Sequence, residues 1–244
     1  MDSLSKHICL WSGPRNISTA LMYSFAQRQD TTVVDEPLYA HYLSSSDTAK
    51  NYHPLAQEVL NSMENDGQKV IENMFKLNKT PFYFHKQMTH HLIDIDWSFL
   101  LNTTNIILTR NPKEMLPSFA KEISKPKMED VGYQMHIDLL KYLNNNNCPP
   151  IVVDSKELLL NPKPFLTELC VQLNISFDEN MLSWQKGARP EDGVWAKHWY
   201  GNVHQSTGFI PYKEKTEPFP SSLAPLLKEC EPLYQKLKAI AIKV

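Results

Sequence analysis

The stretch HICLWSGPRNISTALMYSF, residues 7–25, begins as an apolar strand and ends as a helix. A strand that turns directly into a helix points the free N–H groups and the positive dipole end of the helix at the turn, where an anion is stabilised. Arg15 adds guanidinium donors to this turn, and Ser18 and Thr19 add hydroxyls. The turn suits a phosphate group, although a plain strand-helix connection is an equally good interpretation of this stretch alone.

The turn does not match the phosphate-binding loop of ordinary nucleoside triphosphatases. That loop has the pattern GxxxxGK[ST], whereas SGPRNIST has neither the second glycine nor the lysine. A nucleotide triphosphatase is therefore disfavoured.

Composition and charge narrow the class of protein. The chain has 244 residues, 42% of them hydrophobic and 21% charged, with a formal net charge of -2. We expect one globular domain over residues 1–244, and the small net charge favours neither nucleic acid nor membrane as a partner. Four widely spaced cysteines without a CxxC pair argue against a zinc site and a disulfide framework. The N-terminal MDSLSKHICLW lacks the features of a signal peptide, and no run approaches a membrane span, so we expect a cytoplasmic protein.

Five strand-like runs alternate with helical patterns along the chain. They are HICLW (7–11), TTVVD (31–35), PFYFHKQ (81–87), NIILTR (105–110) and PPIVVDS (149–155). Such alternation is typical of a parallel sheet with helices on both faces, and near-continuous apolar runs are typical of strands buried on both sides. The sequence therefore predicts an α/β fold of three layers, α/β/α, around a mainly parallel sheet.

A second stretch, NIILTRNPKEMLPSF (105–119), brings anion-binding residues to the same edge of that sheet. Arg110 ends a buried strand, which is where open α/β sheets bind ligands. Asn111 is expected to cap the helix that follows, with proline in its first position and Glu114 at capping-box spacing. Ser118 lies two helical turns further on, so Arg110 and Ser118 hold one anion only if the chain folds back across the strand edge.

These motifs resemble those of the sulfotransferase family, whose members use 3′-phosphoadenosine 5′-phosphosulfate (PAPS) and have a fold related to nucleotide kinases. GPRNISTAL (13–21) is similar to the family's PKSGTT-type loop for the 5′-phosphosulfate. RNPKEMLPS (110–118) is similar to the RNPKD-type segment whose arginine and serine hold the 3′-phosphate, and VVDSKELLLNPKPFLTEL (152–169) resembles the strand and helix that follow. The resemblance runs from about residue 7 to 180. It implies these cofactor-binding residues: Arg15, Asn16, Ile17, Ser18, Thr19, Arg110 and Ser118.

Three positions depart from the family pattern. Ile17 stands where the family usually has glycine, and Ala20 where a tryptophan often stacks on adenine. Lys86 corresponds to the lysine of the family's Lys-Thr-His segment, but Met88 takes the place of the histidine, which is the base in cytosolic members. The resemblance therefore leaves the base and the recognition of adenine open.

Sulfuryl transfer needs a base for the acceptor hydroxyl and positive charge near the leaving phosphate. Glu36 is the leading candidate base, because VVDEP (33–37) puts it just past the second strand, on the edge that carries Arg15 and Arg110. Other sulfotransferase branches, which resemble this chain in having a carboxylate after that strand, use glutamate as base. The alternative is a carboxylate that only caps a neighbouring helix. Lys86 and Arg15 are expected to stabilise charge in the transition state.

Three histidines in FHKQMTHHL, His85, His90 and His91, are alternative bases, because histidine titrates near neutral pH. The adjacent pair resembles metal ligands, but no third ligand is convincingly spaced with it, so no metal site is expected.

The late segment, residues 184–215, has no clear period and is predicted to be a long ordered loop with a functional role. Ser206, Thr207 and the amides near Gly208 fall where the family covers the 3′-phosphate, although the family's Arg-Lys-Gly triplet is absent. Three aromatic residues are candidates for the wall of an acceptor pocket: Trp195, Trp199 and Tyr200.

The resemblance implies transfer of a sulfuryl group from PAPS to a hydroxyl or amine of a small acceptor, with adenosine 3′,5′-bisphosphate as the product. Two other functions stay open. One is a small-molecule kinase of the same broad fold, which would use ATP and Mg²⁺; the other is a nucleotide-binding protein without turnover. The sequence identifies neither the acceptor nor the oligomeric state.

Overall fold

Five parallel strands form the central sheet of residues 5–244, the part of the chain that the computed structural model describes. They are β1 (Lys6–Ser12), β2 (Thr31–Asp35), β3 (Phe82–Met88), β4 (Thr104–Thr109) and β5 (Ile151–Asp154). Their order across the sheet is β2-β3-β1-β4-β5. The five predicted strands are confirmed to within two residues at each end. The prediction about a signal peptide falls partly on residues 1–4, which lie outside the described residues.

The α-helices lie between the strands and after β5, except between β3 and β4, which only 3₁₀ turns connect. They are α1 (Ser18–Phe25), α2 (Tyr39–Ser45), α3 (Asp47–Tyr52), α4 (Ala56–Ser62), α5 (Gly67–Phe75), α6 (Pro112–Phe119), α7 (Met128–Val131), α8 (Tyr133–Asn145), α9 (Ser155–Leu160), α10 (Pro162–Gln172), α11 (Ala196–Trp199), α12 (Gly201–His204) and α13 (Ala224–Ala239). Short 3₁₀ turns cover Thr89–His91, Trp97–Asn102, Glu179–Leu182 and Ser221–Leu223. Among the helices of residues 5–244, none combines the length and apolarity that crossing a bilayer requires.

Helices cover both faces of the sheet, because successive side chains of a buried strand point to opposite sides. Ile8 and Leu10 of β1 belong to a core that includes residues of α1 and α10. Cys9 and Trp11, which alternate with them along β1, belong to a second core that includes residues of α5, α8 and α13. The predicted three-layer α/β/α fold is confirmed.

The carboxyl ends of the parallel strands meet at one edge of the sheet, and this edge carries the candidate functional residues. β1 leads into the turn before α1, β2 into Glu36, and β4 into Arg110. In the register of β2 and β3, Asp35 lies opposite Lys86, so their side chains share one face. Strand order and register alone therefore bring the predicted residues together.

Two local predictions need correction. Asn111 caps α6, its Oδ1 accepting from Lys113 N at 2.9 Å, but the capping box is wrong. The Glu114 carboxylate instead accepts from Tyr212 OH at 2.8 Å and lies 3.5 Å from Arg110 Nη2, so it is engaged by partners outside the backbone of α6. The late segment is irregular as predicted, except for the short helices α11 and α12.

Candidate active site

The turn between β1 and α1, residues 13–19, will be called the anion cradle. Arg15 and Ile17 have φ angles of 58° and 64°, and Asn16 between them keeps a negative φ. Alternation of hand along the backbone is typical of nests, in which successive N–H groups line one concavity and bind anions. Ile17 precedes α1 without a side-chain cap, so no side chain competes at the cap for the first N–H groups of α1.

Two contacts hold the anion cradle in place. A Cβ on Gly13 would lie 2.6 Å from Val131 O, so only glycine allows the backbone of α7 to approach this closely. Asn16 Nδ2 donates to Leu108 O at 3.2 Å and ties the anion cradle to β4. Asn16 therefore fixes the shape of the site through its side chain, besides lining the cavity described below.

The predicted fold-back of α6 across the strand edge is present. Arg15 Nε donates to Ser118 Oγ at 3.1 Å, and Arg110 Nη1 donates to Arg15 O at 2.8 Å. Tyr133 OH donates to Arg110 O at 2.6 Å and fixes the start of the segment. Arg110 and Ser118 thus contact the same residue of the anion cradle from two sides.

Two lysines that the sequence analysis missed, Lys213 and Lys215, line the same cavity as Arg110. Lys215 Nζ donates to Glu114 O at 2.8 Å. Burial lowers the pKa of Lys215, and the neighbouring positive charge of Arg110 lowers it further. The alternating lysines of YKEK (212–215) were the available signal, but nothing in a loop sequence says where the loop lies.

A buried ion cluster occupies the ends of β2 and β3. Lys86 Nζ donates to Asp35 Oδ1 at 3.0 Å, to Tyr200 OH at 2.6 Å and to Glu36 Oε1. Burial raises the pKa of Glu36 against the opposing pull of Lys86. Burial alone would lower the pKa of Lys86, but the two carboxylates outweigh it and the pKa is raised. Lys86 is therefore held as a cation.

Of the two carboxylates, Glu36 is the one that reaches the cavity. Its side chain is 9% exposed and lines the cavity, whereas the side chain of Asp35 is 1% exposed. Glu36 has φ of 41°, a strained left-handed value for a residue with a side chain. Strain of this kind persists where the surroundings fix it, and it clusters at functional sites.

The three candidate histidines separate into two groups. His85 is not among the residues that line the cavity; its Nε2 lies 3.0 Å from His7 Nδ1, so the structure argues against it as the base. His90 and His91 do line the cavity. Burial lowers the pKa of His90 to about 3 and that of His91 well below its usual value, which makes both weak bases. Within residues 5–244, no three His, Cys, Asp or Glu side chains are grouped to hold a metal ion.

One cavity of about 500 Å³ joins these parts. All of the predicted cofactor-binding residues line it, together with Glu36 and Lys86. The three predicted aromatic residues line it too, and Trp195 Nε1 donates to Tyr200 OH at 3.0 Å. Ser206 and Gly208 are lining residues, whereas Thr207 uses its carbonyl to accept from Trp184 N at 3.1 Å.

The cavity has a cationic end that suits a ligand with more than one phosphate. Arg15, Arg110, Lys213 and Lys215 line this part of the cavity. The Glu114 carboxylate lies 3.5 Å from Arg110 Nη2, and Lys215 donates to the backbone carbonyl of Glu114. Guanidinium and ammonium groups, hydroxyls and free helix N–H groups are the donors that phosphates prefer in proteins. The donor set therefore fits the two anionic ends of PAPS.

A family model described as a sulfotransferase domain matches residues 6–241. Two relatives from Arabidopsis thaliana, named branched-chain-amino-acid aminotransferase-like proteins 2 and 1, are 38% and 39% identical over 93% and 94% of this chain. The chain spans 40% and 41% of the length of these relatives. Its organisation as a single domain therefore stays a prediction.

Solved structures with a similar fold include sulfotransferases. The sulfotransferase domain from the curacin biosynthetic pathway covers 93% of this chain and 97% of its own, at 17% identity and a TM-score of 0.57. A sulfotransferase from Alicyclobacillus acidocaldarius covers 98% of this chain and 96% of its own, at 12% identity and a TM-score of 0.51. At these identities the likeness shows the fold, and the family model spans nearly the whole chain. The chain belongs to the family of sulfotransferase domains.

Proposed function

We infer that the protein transfers a sulfuryl group from PAPS to a hydroxyl or amine of a small acceptor. The observation that carries this inference is a single cavity lined at once by the cationic residues Arg15 and Arg110 and by the pair Glu36 and Lys86. Membership of the sulfotransferase domain family supports it. The acceptor itself is not identified.

The anion cradle would hold the 5′ end of PAPS, through the first N–H groups of α1, the Arg15 guanidinium and the hydroxyls of Ser18 and Thr19. Arg110 and Ser118 would hold the 3′-phosphate. Each charge-assisted hydrogen bond of this kind stabilises a complex by about 1.5–3 kcal/mol. When bound, PAPS supplies the sulfuryl group: its bond to the phosphate oxygen breaks, the bonding electrons leave with the phosphate, and the acceptor oxygen or nitrogen bonds to sulfur.

Glu36 would take the proton of the acceptor group on its carboxylate. Burial raises the pKa of Glu36, which brings a carboxylate closer to the proton affinity that a general base needs near neutral pH. Lys86, held as a cation beside Glu36, would stabilise negative charge as it develops on the transferring group and the leaving oxygen.

A transfer assay tests this proposal. The protein is incubated with PAPS and a panel of phenols, alcohols and amines, and sulfated products are measured by mass spectrometry. We expect product from the wild type, and a loss of about 100-fold or more in Glu36→Gln with binding of adenosine 3′,5′-bisphosphate retained, because a positioned base contributes about 10²–10⁴-fold. The matched control is Glu168→Gln, because Glu168 is a half-buried residue of α10 that is not among the residues lining the cavity.

The other outcomes identify the alternatives. Phosphorylation of an acceptor by ATP and Mg²⁺, without sulfation from PAPS, would establish the kinase. Binding of the bisphosphate while PAPS is never consumed would establish a nucleotide-binding protein without turnover. Full activity in Glu36→Gln would remove Glu36 from the role of base.

A cytoplasmic location and the absence of a nucleic-acid or membrane partner are part of this proposal. Supporting it, all four cysteines are free thiols, as is usual in reducing compartments. Fractionation of cells that express the full-length protein tests the location, and recovery in a secreted or membrane fraction would contradict it.

A further inference from the structure

Tyr200 OH has a fixed direction of proton donation inside the buried ion cluster. It lies 2.6 Å from Lys86 Nζ and 3.0 Å from Trp195 Nε1. An ammonium group and an indole N–H only donate, so the hydroxyl accepts from both. Its single proton therefore goes to Asp35, whose two carboxylate oxygens lie 2.9 and 2.8 Å away.

Every contact of Asp35 in this cluster is with a donor. Besides Tyr200 OH, it accepts from Lys86 Nζ at 3.0 Å and from Gly193 N at 3.2 Å. Its side chain is 1% exposed, and Asp35 is not among the residues that line the cavity. Asp35 thus faces Lys86 as a carboxylate that no substrate reaches.

The three protons of the Lys86 ammonium go to Asp35, Tyr200 and Glu36. One positive charge lies between two carboxylates, so one of the two is not neutralised. The donors around Asp35 separate its carboxylate from the cavity, whereas Glu36 lines the cavity. The excess charge belongs on Glu36, where a proton taken from the acceptor would cancel it.

Two further titratable groups face this cluster from other elements. Tyr39 of α2 lies near Glu36, and burial raises its pKa, so it is uncharged at neutral pH. His91, in the 3₁₀ turn after β3, lies near Lys86, and burial lowers its pKa well below the usual value, so it is also uncharged. Lys86 and Asp35 therefore set the charge that Glu36 meets.

We propose that Asp35 is the permanent counter-ion of Lys86, oriented by Tyr200, and that this arrangement leaves Glu36 free to gain and lose a proton during sulfuryl transfer. Asp35 and Tyr200 are positioning residues, which act on Glu36 through Lys86 and through their own closeness to its carboxyl. The role in transfer rests on the proposed function, while the charge arrangement is testable without turnover. It also gives the late segment, which carries Tyr200, a part in completing the site.

The test is a pH titration of the Glu36 carboxyl by NMR on protein labelled with ¹³C in glutamate carboxyls. The Glu36 signal is assigned by its loss in Glu36→Gln. In Asp35→Asn, Glu36 becomes the remaining carboxylate for Lys86, so its titration midpoint falls by about one pH unit or more. In Tyr200→Phe, the midpoint shifts by at least about half a pH unit, because Lys86 and Asp35 both lose a partner.

The fold offers a matched pair of controls at the opposite edge of the sheet. Asp154 ends β5 as Asp35 ends β2, is buried, and accepts from Tyr234 OH at 2.7 Å. Neither Asp154 nor Tyr234 is among the residues that line the cavity. Asp154→Asn and Tyr234→Phe therefore remove the same kind of bond away from Lys86, and they leave the Glu36 midpoint unchanged.

An unchanged or raised Glu36 midpoint in Asp35→Asn would overturn the inference. If Asp35→Asn does not fold, Tyr200→Phe decides: a shift no larger than that in Tyr234→Phe would overturn it. Once an acceptor is known, both Asp35→Asn and Tyr200→Phe should lower kcat by tenfold or more with little change in KM for PAPS. Because the titration needs no turnover, failure to find sulfation counts against the proposed function and leaves the titration result standing.

Discussion

Ile17 has a backbone conformation that suits glycine, which is the usual residue at this position in the family whose loop this turn resembles. Its φ is 64°, and left-handed conformations cost a residue with a Cβ about 1–2 kcal/mol. Alanine keeps that cost and glycine removes it. We therefore expect Ile17→Gly to be more stable than Ile17→Ala by about 1 kcal/mol in the free energy of unfolding, measured by chemical denaturation.

The control is Ala20→Gly in α1, one turn away, where glycine should lower the free energy of unfolding by roughly 0.5–1 kcal/mol, the usual order. If Ile17→Ala proved as stable as Ile17→Gly, residue 17 would carry no strain.

Buried histidines should make the protein sensitive to acid. Burial lowers the pKa values of His85, His90 and His136 to about 3, whereas an unfolded histidine titrates near 6.5. Below about pH 6.5 these histidines bind protons in the unfolded chain but not in the folded chain. Their contribution to the free energy of unfolding is therefore fully present above that pH and is lost as the pH is lowered. Each such histidine costs on the order of 1 kcal/mol per pH unit, and together they outweigh the raised pKa of Glu36, which acts in the opposite direction.

Urea denaturation at pH 7.5 and 5.5 measures this dependence. His136→Gln should make the free energy of unfolding less dependent on pH than it is in the wild type. Equal pH dependence in the wild type and His136→Gln would refute the assignment.

At the residue scale, the sequence predicted most residues of the candidate site but not the contacts between them. Arg15, Arg110 and Glu36 were predicted because each stands at the end of a strand or just after it, a place that local sequence reveals. Lys86 was predicted from the resemblance to the family's Lys-Thr-His segment. Asp35 was missed because its position is that of the last residue of a strand. The adjacent acidic residues Asp35 and Glu36 in DEP were an available signal for a cluster of charges. Its role depends on Tyr200, which is 165 positions away in sequence and comes close only in the folded chain.

At the scale of elements, the strands were predictable because an apolar run buried on both faces leaves few alternatives. The late segment was not, since its position depends on side-chain contacts such as that of Tyr200 with Lys86 rather than on a periodic pattern. The capping box fails for a similar reason. The Glu114 carboxylate contacts Tyr212, which is 98 positions away in sequence, and Arg110 at the end of β4.

The close approach of α7 to the anion cradle gives a prediction for this pair of elements. A Cβ on Gly13 would lie 2.6 Å from Val131 O, a backbone atom that cannot turn away, so Gly13→Ala should displace the anion cradle. We expect a loss of about 1–3 kcal/mol in the free energy of unfolding and weaker binding of adenosine 3′,5′-bisphosphate. Denaturation and calorimetry measure the two effects.

Gly201→Ala is the control, because a Cβ on Gly201 meets nothing within 4 Å. The prediction fails if Gly13→Ala and Gly201→Ala bind the bisphosphate equally well.

At the scale of the whole molecule, the alternation of strands and helices was enough to predict the three-layer fold. Strand order then explains the site, because β2, β3, β1 and β4 are neighbours and deliver Glu36, Lys86, Arg15 and Arg110 to one edge. The two halves of the candidate site, a cationic end and a carboxylate–lysine pair, follow from this topology. What the sequence could not provide is the shape of the remaining cavity, which the late segment forms together with α2 and the turn after β3.

The central claim is that the cationic end of the cavity holds the two phosphates of PAPS. Calorimetric titration with adenosine 3′,5′-bisphosphate, adenosine 5′-monophosphate, and ATP with Mg²⁺ tests it most directly. We predict that the bisphosphate binds at least about tenfold more tightly than the monophosphate, that Arg110→Ala abolishes this difference, and that Arg189→Ala, an arginine outside the cavity lining, preserves it. Equal affinity for the two adenosine phosphates, or binding of ATP with Mg²⁺ but not of the bisphosphate, would contradict the claim.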